Sequence, residues 1–278
     1  MNATRHIIIS RHNPTVKKVV QLRERKYRER LGEFVIEGQK ELQEALKAKV
    51  SLTEVLFCRE LMEGFAGQEL LKTVLDQKIR TQEVSKEVFL KMSYREGPDG
   101  VIGVTRQWKL DLAAVQLSKN PLLVICEKIE KPGNLGALIR SVNAVGADAL
   151  VVCDPVIDIF NSNVIRASRG MLFCVQIVVT TNEDAYSFLK EHAIKMIATT
   201  PQAEKLYWNE EMKGAVGIVI GSEHEGLTPF WLEKKDVVKV KIPLVGNVDS
   251  LNAGVVGVLV LYEALRQRGW NLKIDSLS

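Results

Sequence analysis

The chain has 278 residues, is 46% hydrophobic and 26% charged, and carries a formal net charge of +4. This is an ordinary globular composition, long enough for two modest domains or one large one. The leading stretch MNATRHIIISRHN is too short in its apolar part for a signal peptide, and AGVVGVLVLYEAL, interrupted by Glu263, is too short to span a bilayer. A cytoplasmic location is therefore the expectation. Cys58, Cys126, Cys153 and Cys174 form no CxxC pair and are expected to be buried, reduced thiols. His6, His12, His192 and His224 show no metal-ligand spacing, so no metal is expected.

The charge is unevenly placed. Residues 1–108 hold 20 Lys and Arg against 15 Asp and Glu; residues 109–278 hold 18 against 19. The excess concentrates in residues 11–30, RHNPTVKKVVQLRERKYRER, with eight basic and two acidic side chains. Such a run suits a phosphate backbone, and equally describes the solvated face of a helix. Asn13-Pro14 opens a helix over 14–30, with Val16, Val19, Val20 and Tyr27 inward and the basic residues outward. On the RNA reading Lys17, Lys18, Arg23, Arg25, Lys26, Arg28 and Arg30 are the candidate contacts.

Next come a strand (GEFVIEG), a helix (KELQEALKAKV), a strand (LTEVLFC) and a helix (EGFAGQELLKTVLDQK). A short strand (KIRTQEV), a helix (SKEVFLKMS), the turn REGPDG and a closing strand (VIGVTRQW) complete a small α/β domain over 1–108. Residues 109–120 read as a linker. From 121 to 278 apolar strands alternate with helical patterns: 121–126, 148–153, 173–180, 195–200, 215–221 and 237–243. Near-continuous apolar strands of this kind predict a parallel sheet covered on both faces. One covering helix carries Leu135, Leu138, Ile139, Val142 and Val145; the last carries Leu251, Val255, Val258, Leu259, Tyr262 and Leu265. No internal repeat or low-complexity segment interrupts the pattern.

Three polar loops follow strands: EKIEKPGNLGALIR (127–140), GSEHEGL (221–227) and IPLVGNVDSLNAG (242–254). In a parallel sheet all three emerge at the carboxyl edge, where ligands gather. Gly133 and Gly136 have the spacing G-x-x-G, not the dinucleotide fingerprint, and no Walker lysine follows. Asn134 sits where a helix N-cap is expected, and Arg140, six residues on, is placed to meet a phosphate. Gly254 and Gly257, costly inside a helix, imply a close approach: by another backbone, by a cofactor, or by tight packing within the subunit. Glu223 and Glu225 read either as site carboxylates or as a solvated acidic turn, and His224 as a loop residue.

Taken together, Asn134-x-Gly136-x3-Arg140, Gly221-Ser-Glu223-x-x-Gly226-Leu and Ile242-Pro-x6-Ser250-Leu-Asn252 resemble the three motifs of the SpoU (TrmH-like) RNA 2'-O-ribose methyltransferases of the SPOUT superfamily. The resemblance spans about residues 121–268. The N-terminal segment resembles, more loosely, the family's ribosomal-protein-like substrate-binding domain. The resemblance implies a deep C-terminal trefoil knot, a homodimer and S-adenosylmethionine (SAM) in the knot. It assigns the cofactor to Thr199, Thr200, Pro201, Gly221, Ile242, Leu251 and Asn252. Arg140 becomes the base or, since a guanidinium is effectively never neutral, the stabiliser of the developing alkoxide. Glu223 is expected to orient Arg140, Ser250 and Asn252 to position the ribose or phosphate, and Asn134 to hold the first loop. RASRG (166–170) is similar to a segment of the thiostrepton-resistance type of ribosomal RNA methyltransferase, making Arg166 and Arg169 RNA contacts or parts of the partner's site. The separate basic domain favours ribosomal over transfer RNA. The alternatives are a transfer RNA 2'-O-methyltransferase and a non-catalytic RNA-binding protein that kept the fold.

Overall fold

The computed structural model describes residues 7–62 and 64–269; His6 lies outside them. The first elements are α1 (Pro14–Gln21), α2 (Arg25–Leu31), β1 (Glu33–Glu37), α3 (Gln39–Lys47), β2 (Leu52–Phe57), α4 (Gly64–Asp76), β3 (Thr81–Glu83), α5 (Lys86–Met92) and β4 (Val101–Arg106). Then come β5 (Leu122–Glu127), α6 (Pro132–Val145), β6 (Ala149–Cys153), α7 (Ser162–Ala167), β7 (Gln176–Thr180) and α8 (Asn182–Glu191). The chain closes with β8 (Lys195–Thr199), β9 (Val216–Ile220), α9 (Pro229–Leu232), β10 (Val237–Val240) and α10 (Ala253–Gln267). Two compact units result. One combines residues up to Trp108 with Asp158–Cys174; the other holds Lys109–Ile157 and the chain from Val175. The segment 158–174 thus groups with the N-terminal half, not with the rest of 121–278.

The first unit is built on a four-stranded sheet of order β1-β4-β2-β3, antiparallel except for β2 beside β3. Val16, Val19, Leu22, Val88 and Phe89 from its helices pack on Val35, Leu56, Ile102 and Val104 from its strands. The predicted helix over 14–30 is two helices. Arg28 explains the break: its Nη1 donates to the carbonyls of Leu22 (2.9 Å) and Arg23 (2.7 Å), groups freed where α1 ends. Its Nε reaches Asp158 at 2.7 Å, and the side chain is only 2% exposed.

The second unit is a six-stranded, wholly parallel sheet of order β10-β8-β9-β5-β6-β7. Leu123, Ile125, Val151 and Val219 face Phe188 and Leu189 of α8 and Trp231 of α9. On the other face α10 packs along α6 and β9. The expected linker is part of this unit: Leu112, Val115 and Leu117 pack against its core, and the Gln116 amide donates to Gln176 Oε1. Of the four cysteines Cys174 is exposed and the other three are buried.

α10 corrects the helical reading. Its buried residues are Ala253, Gly254, Gly257, Val260, Leu261 and Ala264. Val255, Leu259 and Tyr262, assigned to the core by periodicity, are 46%, 36% and 42% exposed. The glycines settle which side is in. A Cβ on Gly257 would sit 2.2 Å from Leu138 Cδ2, and one on Gly254 would sit 3.1 Å from Ala137 Cβ. Both glycines serve tight packing within the subunit. Among the described residues, no helix is long and apolar enough to cross a membrane.

Candidate active site

The three polar loops leave β5, β9 and β10 at the same, carboxyl edge of the sheet. One chain of side-chain hydrogen bonds ties them together. Asn134 Nδ2 donates to Glu223 Oε1, and Asn252 Nδ2 donates to Asn134 Oδ1 at 2.7 Å. Asn252 Oδ1 in turn accepts from the Gly254 amide at 2.9 Å, capping α10. The expected capping role of Asn134 is therefore not observed. Lys131 occupies the N-cap of α6, with Pro132 in the first turn, and Asn134 lies inside the helix, 6% exposed.

The second loop folds back on itself. Ser222 and Gly226 exchange backbone hydrogen bonds at 3.0 and 3.2 Å, with Gly226 at φ +68°. A Cβ on Gly221 would lie 2.1 Å from the Gly226 carbonyl carbon, so only glycine closes this turn. Glu127, given no role by sequence reasoning, anchors the loop's far end. It is fully buried; its Oε2 accepts the Thr228 amide (2.8 Å) and its Oε1 accepts Thr228 Oγ1 and Asn182 Nδ2 (both 2.6 Å). The Trp231 indole N–H donates to Asn182 Oδ1 at 2.7 Å. A glutamate ending an otherwise apolar strand was the available signal. It needs buried donors, and those lie 55 and 101 residues away.

A cavity of about 720 Å³ opens beside this knot of hydrogen bonds. Thr199, Thr200 and Pro201 line it, with Gly221, Glu223, Ile242, Ser250 and Leu251. Glu225, Asp249, His224 and Lys239 also reach it, leaving three carboxylates against one lysine. Glu223 Oε2 is buried and has no hydrogen-bond partner among the described residues. Asn252, placed with the cofactor residues by the sequence, braces the loops and is not in the lining. Arg140 is exposed, outside the lining, with no hydrogen bond or ion pair among the described residues. Glu223 therefore meets Asn134 in place of the expected Arg140. Cys126, nearby on β5, is completely buried; burial pushes its thiol up to about 12, so it stays protonated at neutral pH. Among the described residues no group of three His, Cys, Asp or Glu side chains is placed to hold a metal ion.

The model of the SpoU rRNA methylase family matches residues 121–262, more than half of the chain and the whole of this edge. The chain belongs to the SpoU rRNA methylase family. An MRM3-like substrate-binding domain matches residues 13–103. A crystal structure of an RNA 2'-O ribose methyltransferase is 37% identical, superposes with a TM-score of 0.83 and covers 95% of this chain and 99% of its own. The SpoU methyltransferase AviRb from Streptomyces viridochromogenes in complex with AdoMet is 26% identical, with a TM-score of 0.83 and coverage of 92% and 99%. The 23S rRNA (guanosine(2553)-2'-O)-methyltransferase RlmP of Bacillus subtilis (strain 168) is 27% identical over 92% of this chain and 97% of its own.

Within this SpoU protein's MRM3-like domain the basic stretch divides in two. Arg28 is buried structure, which removes it from the expected RNA contacts. Arg23 Nη2 donates to the carbonyls of Lys91 (2.8 Å) and Ser93 (2.5 Å) at the end of α5. Lys18 pairs with Glu33, Arg25 with Glu29 and Lys26 with Glu24. Lys17 is exposed, and Arg30 lies 4.8 Å from the Tyr27 ring centroid. Arg166 and Arg169 are exposed on the segment that folds with this same unit.

Proposed function

We propose that this chain transfers a methyl group from S-adenosylmethionine to a ribose 2'-hydroxyl of RNA, with ribosomal RNA as the substrate class. The observation that carries this reading is the Glu223–Asn134–Asn252 chain, which unites the three motif loops beside one cavity. The names of AviRb and RlmP, and the AdoMet in the AviRb complex, support it.

The cavity residues fit the cofactor. SAM carries a sulfonium and an ammonium, and the lining sets Glu223, Glu225 and Asp249 against Lys239. The Gly221 backbone would lie against it, where a side chain has no room. Thr199–Pro201, Ile242 and Leu251 would hold its adenosine and methionine portions. When bound, SAM supplies an electrophilic methyl and a neutral thioether leaving group. The chain's own residues do the rest. Asn134 and Asn252 fix the loops so that the ribose oxygen is aligned for in-line attack. Glu223 keeps one buried acceptor oxygen for a donor entering the cavity. Arg140, without a side-chain partner among the described residues, binds the ribose phosphate and stabilises the developing alkoxide while the hydroxyl proton passes to solvent water. Ser250 positions the ribose.

The reading includes a homodimer, supported by the exposed apolar face of α10 formed by Val255, Leu259 and Tyr262 at helical spacing. It includes a trefoil knot, supported by the path from β10 at one sheet edge back to α10 against α6 and β9. RNA is gathered by the first unit, and the work is done in the cytoplasm. The test is to incubate the protein with radiolabelled SAM and unmodified ribosomal RNA, then identify the labelled nucleoside. A 2'-O-methyl nucleoside is expected. Label on a base, or SAM binding without any label on ribosomal or transfer RNA, overturns the reading.

A further inference from the structure

Tyr94 is an exposed aromatic that the first unit holds with unusual care. It is 54% exposed, yet its backbone is clamped from beneath by Glu37, which is 9% exposed. Glu37 accepts three successive residues: Ser93 Oγ, the Tyr94 amide (2.9 Å) and the Arg95 amide (3.3 Å). The Arg23 guanidinium lies over the ring, 5.9 Å from its centroid, and is itself fixed by the Lys91 and Ser93 carbonyls. Asn163 Nδ2 reaches the Tyr94 hydroxyl at 3.5 Å, from the segment that folds with this unit. Arg166 follows Asn163 by three residues on α7, so it shares that helix face, exposed and with no side-chain partner among the described residues.

A rigid ring with a cation on one face, an amide at its rim and a free guanidinium one turn away has a specific use. Unstacked nucleobases stack on aromatic rings, have their edges read by amides, and have their phosphates held by arginine. We infer that Tyr94, Asn163 and Arg166 form a binding site for one unstacked nucleotide of the RNA substrate, with the base on Tyr94 and the phosphate on Arg166. This rests on the methyltransferase reading above. Arg23 serves the site without touching RNA: it backs the ring. The buried Glu37 pays for the loop's order in advance, so little freedom is lost when the base arrives.

The test measures binding of an unmodified large-subunit ribosomal RNA transcript by the full-length protein over a range of salt. Tyr94→Ala is expected to weaken binding about tenfold at every salt concentration, and Tyr94→Phe to stay within about twofold of the parent. Arg166→Ala is expected to weaken binding and to lower the slope of log Kd against log salt by about one. SAM affinity, which reports on the other unit, is expected to be unchanged in all three. Ultraviolet crosslinking of the unaltered protein gives a second readout, a Tyr94 peptide carrying one nucleotide. Parental RNA binding by Tyr94→Ala, or crosslinks that form elsewhere but never at Tyr94, overturns this site and leaves the ring to a protein partner while methylation stands. Uptake of SAM with neither binding nor methylation of the transcript overturns both readings.

Discussion

At the carboxyl edge of the six-stranded sheet, polar side chains from three distant loops bond to one another. Along α1 and α2, basic side chains from one continuous stretch part company. Asn134, Glu223 and Asn252 are separated by 89 and 118 residues in the chain and share two hydrogen bonds. Lys17 and Arg28 belong to the same basic stretch, but one is exposed and the other is sealed against Asp158. Spacing within a motif specifies a geometry that parallel strands then assemble. Charge density specifies only that cations are present; burial decides which of them are free.

The sharpest break in that comparison is expected at Arg28. Arg28→Ala leaves the largely buried Asp158 without its cation and two carbonyls without a donor, a loss of about 3–5 kcal/mol. Urea unfolding measures it, and a midpoint equal to the parent's would show that the buried cation is ornamental. At the sheet edge, Arg140→Ala is expected to slow methyl transfer by about a hundred- to a thousandfold with SAM affinity retained. Full activity would remove Arg140 from the mechanism. Gly221→Ala pushes a methyl into the Gly226 carbonyl, and overpacking of about 1–3 kcal/mol is expected to appear as weaker SAM binding by calorimetry. On the proposed homodimer, a charge on the exposed α10 face, Leu259→Glu, is expected to give a folded monomer in sedimentation where the parent runs as a dimer, and a monomeric parent would remove the dimer. The smallest effect is expected at Lys17: Lys17→Ala changes stability by no more than about 0.5 kcal/mol and lowers the RNA salt slope by about one. An unchanged slope would take α1 out of the RNA surface.

Much of the architecture was legible. Five of the six strands of the second half fall inside their predicted runs, and β5 overruns its own by one residue, Glu127, because buried parallel strands leave a near-continuous apolar signal that this glutamate does not share. The three motif loops and their common edge followed from order and spacing, while Thr199, Thr200, Pro201, Gly221, Ile242 and Leu251 of the cavity lining came from the family resemblance. The single helix over 14–30 did not survive, since nothing local says that a guanidinium will terminate α1. Nor did the inward face of α10. Periodicity marks an apolar stripe but not what it packs against, and here the small residues Gly254 and Gly257 let α6 approach while Val255, Leu259 and Tyr262 face out.

By itself, then, the sequence determined the α/β alternation, the carboxyl-edge location of the site and the residue types in it, because these depend on local periodicity and on motif spacing. Tertiary structure alone decided who bonds to whom. Glu223 took Asn134 in place of Arg140; Glu127 became the buried anchor of a loop a hundred residues away; residues 158–174 joined the first unit; Arg28 left the surface. Each of these turns on desolvation. A polar group taken out of water binds whatever partner the fold brings within reach, and chain position carries no record of that choice.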